Sequence, residues 1–97
     1  MRKSVYRKPK QKPGLQDHVA RTPKQLGNLL KQRRMELKLT QGDLAARIRL
    51  RQPTVSSMET SAQVRTATLL SALAALDLEM VIRPRTKTSV EDIEALF

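Results

Sequence analysis

The chain has 97 residues, a net charge of +10 and only two aromatic residues, so it is long enough for one small domain with an aliphatic core and too short for two. It has no cysteine and one histidine, which excludes a disulfide scaffold, a thiol nucleophile, cysteine-ligated zinc and a multi-histidine metal site. No apolar run approaches the roughly 18 residues of a membrane helix, and no apolar segment follows the basic start, so we expect an intracellular, cytoplasmic protein with neither a membrane span nor a secretory signal.

The positive charge is unevenly distributed along the chain. Basic and acidic residues number seven and one in residues 1–21, nine and three in residues 22–76, and three and five in residues 77–97. A basic protein attracts DNA, RNA or an anionic membrane surface, whereas a protein that is basic for solubility alone has no reason to segregate its charges. The distribution therefore predicts different partners for different parts of the chain.

Residues 1–21 are predicted to form a flexible basic N-terminal arm. They contain Pro9, Pro13 and Gly14 and show no apolar periodicity, so they lack the hydrophobicity to fold alone. Two interpretations stay open: a tail that binds phosphates, or a solvated leader without a partner.

Four helices are predicted within residues 22–76, and they form a small helical domain. Thr22 followed by Pro23 is a typical helix start, and Thr40 with Asp43 resembles a capping box. Proline is also acceptable in the first turn of the third helix, which Gln52 opens. The predicted bounds are about 23–37, 41–48, 52–59 and 66–76.

Residues 78–83 alternate with a period of two until Pro84, which predicts one C-terminal β-strand within a 77–88 segment of strand and linker. A lone strand must pair its backbone groups elsewhere, and the simplest partner is the same strand of a second copy. The alternative is an irregular prolongation of the fourth helix. The residues expected at the dimer contact are Leu78, Met80, Val81 and Ile82.

Residues 89–97 form an acidic C-terminal tail. Ser89 and Asp92 are spaced as a capping box, and in a helix Ile93, Leu96 and Phe97 would lie on one side. Nine residues are, however, too few for a stable isolated helix. The tail is either a peptide that folds on a protein partner or a frayed end.

No catalytic constellation is recognisable in the sequence. His18 lies in the arm without an obvious partner, Ser56 and Ser57 have no nearby base, and the few acidic residues of the helical part are dispersed. We therefore expect a protein that is not an enzyme and that uses no cofactor or metal.

The two short helices within residues 40–59 have the shape of a helix-turn-helix. Ala45 supplies the small residue where the helices cross, and Val55 and Met58 face inward. The second helix presents four polar side chains whose hydrogen-bonding groups suit base edges in the major groove. The predicted base-contact residues are Gln52, Thr54, Ser56 and Ser57.

Two motifs in register carry a family resemblance. The run Leu39-Thr40-Gln41-Gly42-Asp43-Leu44-Ala45 resembles the L-T-Q-x-E-L-A signature of the Cro/phage-repressor (XRE) helix-turn-helix family, and the run from Gln52 to Glu59 resembles its recognition helix. The likeness covers about residues 22–76 and implies a DNA-binding domain of four to five helices.

The resemblance also implies roles for individual residues. Arg34 and Glu59 occupy the positions of a partly buried ion pair between helices 1 and 3; two isolated surface charges are the alternative. Gln41 would clamp a DNA backbone phosphate, and Arg49 and Arg51, which flank the turn, would reach phosphate or base. Arg49 stands where the family usually has glycine, and the basic arm is not part of the family core.

The strand after the fourth helix is similar to that of HipB-type antitoxins. Such a protein would be a homodimer that binds double-stranded operator DNA, represses its own operon and neutralises a HipA-type serine/threonine kinase toxin. In that case the apolar residues Ile93, Leu96 and Phe97 of the tail would bind the toxin. The alternatives are a stand-alone repressor of the same fold, and an interaction protein whose basic face grips an acidic protein surface.

Overall fold

Four α-helices make up the computed structural model, which describes residues 18–85. In chain order the helices are α1 (Pro23–Glu36), α2 (Gln41–Arg47), α3 (Gln52–Ser61) and α4 (Thr66–Ala75). The predicted helical fold is confirmed, and each helix begins at the predicted residue. The ends differ from the prediction by one or two residues.

The starts of α1 and α2 are fixed by their own side chains. The Thr22 hydroxyl accepts a hydrogen bond from the Gln25 N–H at 3.1 Å. At α2 the capping box is reciprocal, since the Asp43 N–H donates to Thr40 Oγ1 at 3.0 Å and the Thr40 N–H donates to Asp43 Oδ2 at 2.8 Å. These bonds satisfy donors that the first turn of a helix leaves without partners.

Three helices end in the same way without a glycine. Lys38, Arg49 and Asp77, which follow the last residues of α1, α2 and α4, each have φ near 57°. In each case the next residue donates its N–H to a carbonyl five positions back, as in Leu50 to Ala45 at 2.9 Å. This is the Schellman motif, which satisfies the last carbonyls of a helix and turns the chain sharply.

The core is aliphatic and lies where the four helices meet. Its buried residues are Leu30, Leu44, Ala45, Val55, Met58, Ala72, Leu73 and Leu76. Helix α1 crosses α3 at Gly27, where an added methyl group would lie 2.4 Å from the Glu59 carbonyl oxygen. Only glycine permits this close approach, which places the polar groups of α1 and α3 within bonding distance.

Residues 78–85 form neither helix nor strand among the residues described. An irregular prolongation of α4 is therefore wrong, because the Schellman motif at Asp77 ends that helix. The predicted strand needs a neighbouring strand, and residues 18–85 contain none, so it remains a prediction. Residues 1–17 of the arm and the tail at 89–97 lie outside the described residues.

Candidate nucleic-acid interface

The turn between α2 and α3 is held by the residues that pack beneath it. Leu44 and Ala45 of α2 are buried against Val55 and Met58 of α3. Arg49 carries the left-handed conformation that reverses the chain. The small Ala45 side chain allows the two helices to cross closely, so that α3 projects its opposite side outward.

The outward side of α3 is polar. Gln52, Ser56 and Ser57 are exposed and Thr54 is half-buried. Thr60 belongs to the same surface, because it is exposed and its hydroxyl donates to the Ser56 carbonyl oxygen at 2.9 Å. The prediction omitted Thr60 because it ended the third helix at Glu59, whereas α3 continues to Ser61 and places Thr60 one turn after Ser56.

Arg34 and Glu59 form an ion pair between α1 and α3. Arg34 Nε donates to Glu59 Oε2 at 2.5 Å and Nη2 donates to Oε1 at 3.2 Å, while Nη1 donates to the Leu39 carbonyl oxygen at 2.7 Å. The side chains are only 10% and 3% exposed. The geometry is bidentate, so the guanidinium and the carboxylate compensate each other's lost hydration.

Two glutamines extend this pair to the start of α3. Gln41 Nε2 donates to Glu59 Oε1 at 3.1 Å, and Gln52 Nε2 donates to Gln41 Oε1 at 3.1 Å. The predicted base-contact residue Gln52 and the predicted phosphate-contact residue Gln41 are thus bonded to each other. Because the chain of bonds ends on a buried ion pair, it holds both amides in place before any ligand arrives.

Positive charge flanks the polar face on two sides. Arg49 and Arg51 are exposed beside the turn. Three polar residues of α1 line a cleft of about 320 Å³ together with groups of α2 and α3. The lining residues are Lys24, Asn28, Lys31, Gln41, Ser56, Glu59 and Thr60.

Lys24, Asn28 and Lys31 were missed as candidate site residues. Their spacing of four and three places them on one stripe of α1, which was visible in the sequence. That this stripe faces α3 depends on how the helices pack, which the spacing alone does not give.

The capping box also affects a charge beside the interface. The pKa of the Asp43 carboxyl is lowered below 3.8, chiefly by the hydrogen bond from the Thr40 backbone N–H and next by the bond to the Thr40 hydroxyl. The positive charge of Arg47 lowers it further, to a smaller extent. Within residues 18–85, no group of histidine and acidic side chains is placed to hold a metal ion. No helix in this range is long and apolar enough to cross a membrane.

Comparisons with known proteins agree with this geometry. A family model described as a helix-turn-helix domain matches residues 25–80, more than half of the chain. Among solved structures, the chain is similar to that of a HipB-O1-O2 complex, at 30% identity and a TM-score of 0.61 over 72% of this chain and 100% of that chain. The chain belongs to the HipB-type helix-turn-helix family.

Two further HipB structures show the same likeness. A HipB-O4 20mer complex matches at 28% identity and a TM-score of 0.66 over 72% of this chain and 100% of that one. A HipA-HipB-O2-O3 complex matches at 29% identity and a TM-score of 0.63 over 74% and 100%. No curated protein matches the chain in sequence.

Proposed function

We propose that this protein is the antitoxin of a HipA-type serine/threonine kinase toxin and a dimeric repressor that binds the operator DNA of its own operon. The observation that carries the proposal is the polar face of α3, whose first residue, Gln52, is bonded through Gln41 to the buried Arg34–Glu59 pair. Similar HipB chains occur in complexes with 20mers and with HipA, which supports both partners.

In this mechanism α3 enters the major groove and its side chains contact base edges. Gln52 suits adenine, to which a glutamine amide can bond in bidentate fashion, whereas Ser56 and Ser57 suit several bases. Thr54 is half-buried, so it would contact DNA with only part of its side chain. Holding Gln52 in place beforehand lowers the entropy lost on binding.

Backbone contacts fix the position of α3 in the groove. Gln41, Arg49 and Arg51 would bind phosphates on one side of α3, and Lys24 and Lys31 would bind phosphates on the side that faces the cleft. The basic arm would add contacts that do not depend on sequence. Each phosphate contact releases counterions, so binding should weaken steeply with salt.

The base-reading part is tested by Gln52→Ala, with Gln63→Ala as a control at an exposed glutamine outside α3. Loss of a bidentate contact should lower the discrimination between operator and random DNA by about 1–3 kcal/mol. The affinities are measured by fluorescence anisotropy with an operator taken from the protein's own promoter. Equal losses on both DNAs would contradict base reading by Gln52.

The backbone part is tested by Lys31→Gln and by deletion of residues 1–12. Each should weaken binding to all sequences, and Lys31→Gln should reduce the slope of log affinity against log salt by about one per subunit, or about two for the dimer. Lys38→Gln is the matched control, since Lys38 is an exposed cation of the same region that does not line the cleft. An unchanged salt slope would show that the altered part does not contact phosphate.

The toxin partnership is tested by a pull-down from the native cell. We expect a kinase-like protein to copurify with the full chain, and a chain lacking residues 89–97 to retain DNA affinity while binding the toxin more weakly. DNA binding without a kinase would indicate the stand-alone repressor. A truncated chain that neutralises the toxin fully would move the contact from Ile93, Leu96 and Phe97 to the helical body.

A further inference from the structure

Residues 78–82 leave the domain from a point that is firmly held. The Leu78 N–H donates to the Leu73 carbonyl oxygen at 2.8 Å, which closes the Schellman motif of α4. Arg33 of α1 is only 8% exposed, and its Nε donates to the Leu76 carbonyl oxygen at 2.9 Å. Its guanidinium also lies 3.8 Å from the Asp77 carboxylate.

Arg33 suits this place because the carboxyl end of a helix carries partial negative charge and unpaired carbonyls. A guanidinium this deeply buried needs such partners, since removing it from water is costly. The cation therefore ties α1 to the end of α4, and the segment that follows starts from a fixed position and direction.

Beyond this point the side chains become increasingly exposed. Met80 is 47% exposed, Val81 64% and Ile82 92%. Next to them lies a largely apolar groove of about 300 Å³ between residues 18–20, α1, α4 and the segment itself. Its apolar lining includes Leu26, Leu29, Leu73, Leu78, Met80 and Val81. Three consecutive exposed apolar residues beside an open apolar groove indicate a surface that is covered by another chain.

The charges within the segment indicate which chain that is and how it aligns. If two copies pair antiparallel about a two-fold axis at Val81, Glu79 of each copy lies opposite Arg83 of the other. The same alignment places Met80 opposite Ile82. Directly opposite residues on paired strands interact, and opposite charges and apolar pairs both stabilise the pairing.

Neighbouring alignments lose this match. An axis at Met80 places Glu79 opposite Val81, and an axis at Ile82 places Met80 opposite Pro84, which has no N–H to donate. An axis between two residues pairs Glu79 with Ile82 or with Pro84. An axis at Met80 would also give a charged and an apolar pair, Asp77 with Arg83 and Leu78 with Ile82. Asp77, however, has the left-handed conformation that ends α4, and the Leu78 N–H is already bonded to the Leu73 carbonyl oxygen, so neither residue can extend the pairing. Within residues 79–83, the alignment at Val81 alone gives both a charged and an apolar pair.

We propose that two copies of this chain pair antiparallel through residues 79–83 with the two-fold axis at Val81, and that Glu79 and Arg83 of opposite copies form the ion pairs that set this register. The proposal rests on the homodimer of the proposed function and adds its register. The second copy covers the open side of the groove.

The first test exchanges charges in the full chain. Glu79→Lys and Arg83→Glu should each weaken the homodimer about tenfold, because each creates two repulsive pairs, as measured by sedimentation equilibrium. Mixing the two variants should yield mainly the heterodimer in native mass spectrometry, since both of its pairs are attractive. The double variant Glu79→Lys/Arg83→Glu should dimerise like the wild type.

The second test uses the absence of cysteine from the sequence. Val81→Cys should crosslink rapidly to a disulfide dimer under mild oxidation, because the two sulfurs would meet at the axis. Met80→Cys and Ile82→Cys are the matched controls and should crosslink slowly, since in each the two cysteines are offset by two residues.

The results separate the register from the dimer itself. A dimeric wild type whose charge variants show no preference for the heterodimer, or in which Met80→Cys or Ile82→Cys crosslinks faster than Val81→Cys, overturns the register and leaves the dimer standing. A monomeric wild type overturns the dimer, and the register with it. Circular dichroism of each variant shows whether the helices are intact, and intact helices are expected because all the substituted side chains lie outside them.

Discussion

The junction of α1 with α3 and the segment 78–82 differ in which kind of side chain they bury and which they expose. At the junction, Arg34 and Glu59 are charged and nevertheless buried, and among the described residues no buried side-chain nitrogen or oxygen atom lacks a hydrogen-bond partner. In the segment, Val81 and Ile82 are apolar and nevertheless exposed. The usual placement of polar and apolar groups is inverted at both.

The difference indicates which surface is complete in a single copy. The junction has all its partners, and it braces the polar face of α3 without help from another molecule. The segment lacks partners for its apolar side chains, so its own stability depends on association. In the proposed repressor, recognition of DNA is thus prepared within one copy, whereas the pairing of two recognition helices is left to the dimer.

Removing one of the two charges at the junction should destabilise the fold. Glu59→Ala leaves Arg34 buried without its counter-ion and should lower the free energy of unfolding by about 3–5 kcal/mol, whereas Arg34→Met/Glu59→Leu should recover most of the loss. Urea unfolding followed by circular dichroism measures both. A double variant as unstable as the single one would show that the pair itself, rather than the orphaned charge, stabilises the fold.

The closeness of the junction is tested at Gly27. An added methyl group would lie 2.4 Å from the Glu59 carbonyl oxygen, so Gly27→Ala should push α1 from α3 and lower the free energy of unfolding by about 1–3 kcal/mol.

Gly42→Ala is the matched control, because its methyl group would lie 3.7 Å from Thr40 Oγ1, an ordinary contact. At this helical site alanine should instead stabilise the fold by about 0.5–1 kcal/mol. Stabilisation by Gly27→Ala would contradict the close approach.

Arg49, a proposed phosphate contact, has a strained backbone conformation. It has φ near 57°, which costs a residue with a side chain on the order of 1 kcal/mol that glycine avoids. Arg49→Gly should therefore stabilise the free protein by up to about 1 kcal/mol and weaken DNA binding through the lost charge. Thermal unfolding and anisotropy titration measure the two effects, and tighter DNA binding would exclude a phosphate contact by Arg49.

Local features of the junction and its surroundings were predictable from the sequence. The helix starts at Thr22 and Thr40 depend on side chains within three residues, and the partners Arg34 and Glu59 came from the family resemblance. By contrast, the helix ends at Lys38 and Asp77 have no glycine to signal them. The role of Gly27 and the position of Lys31 beside α3 depend on how distant helices pack, which no local pattern contains.

The predicted strand differs from these local features, because it requires a second copy of the chain. A strand is defined by hydrogen bonds to a neighbour, and within the described chain residues 78–83 have no such neighbour. The alternating pattern therefore predicts a property of the assembly. In the proposed dimer, the second copy would cover the exposed apolar residues of this segment.

The segment should respond to substitution in the opposite way to the junction. Ile82 is 92% exposed, so Ile82→Asp should change the free energy of unfolding of the monomer by no more than about 0.5 kcal/mol. Dimerisation should fall, since two carboxylates would enter the apolar pair with Met80. Unfolding is measured at a concentration below the dimer dissociation constant. A large loss of monomer stability would mean that Ile82 packs within its own copy.

The smallest expected effect lies at the capping box beside the interface, and it depends on pH. The bonds from Thr40 lower the pKa of the Asp43 carboxylate below 3.8, so the charged form is stabilised by folding. Its contribution is present above pH 3.8 and is lost as the pH falls through the lower pKa of the folded state.

Asp43→Asn should therefore be less stable than the wild type at pH 7, and the difference in the free energy of unfolding should shrink as the solution is acidified below pH 3.8. Urea unfolding at a series of pH values measures the difference. A difference that stays constant down to pH 2 would show that the carboxylate's charge contributes nothing to the start of α2.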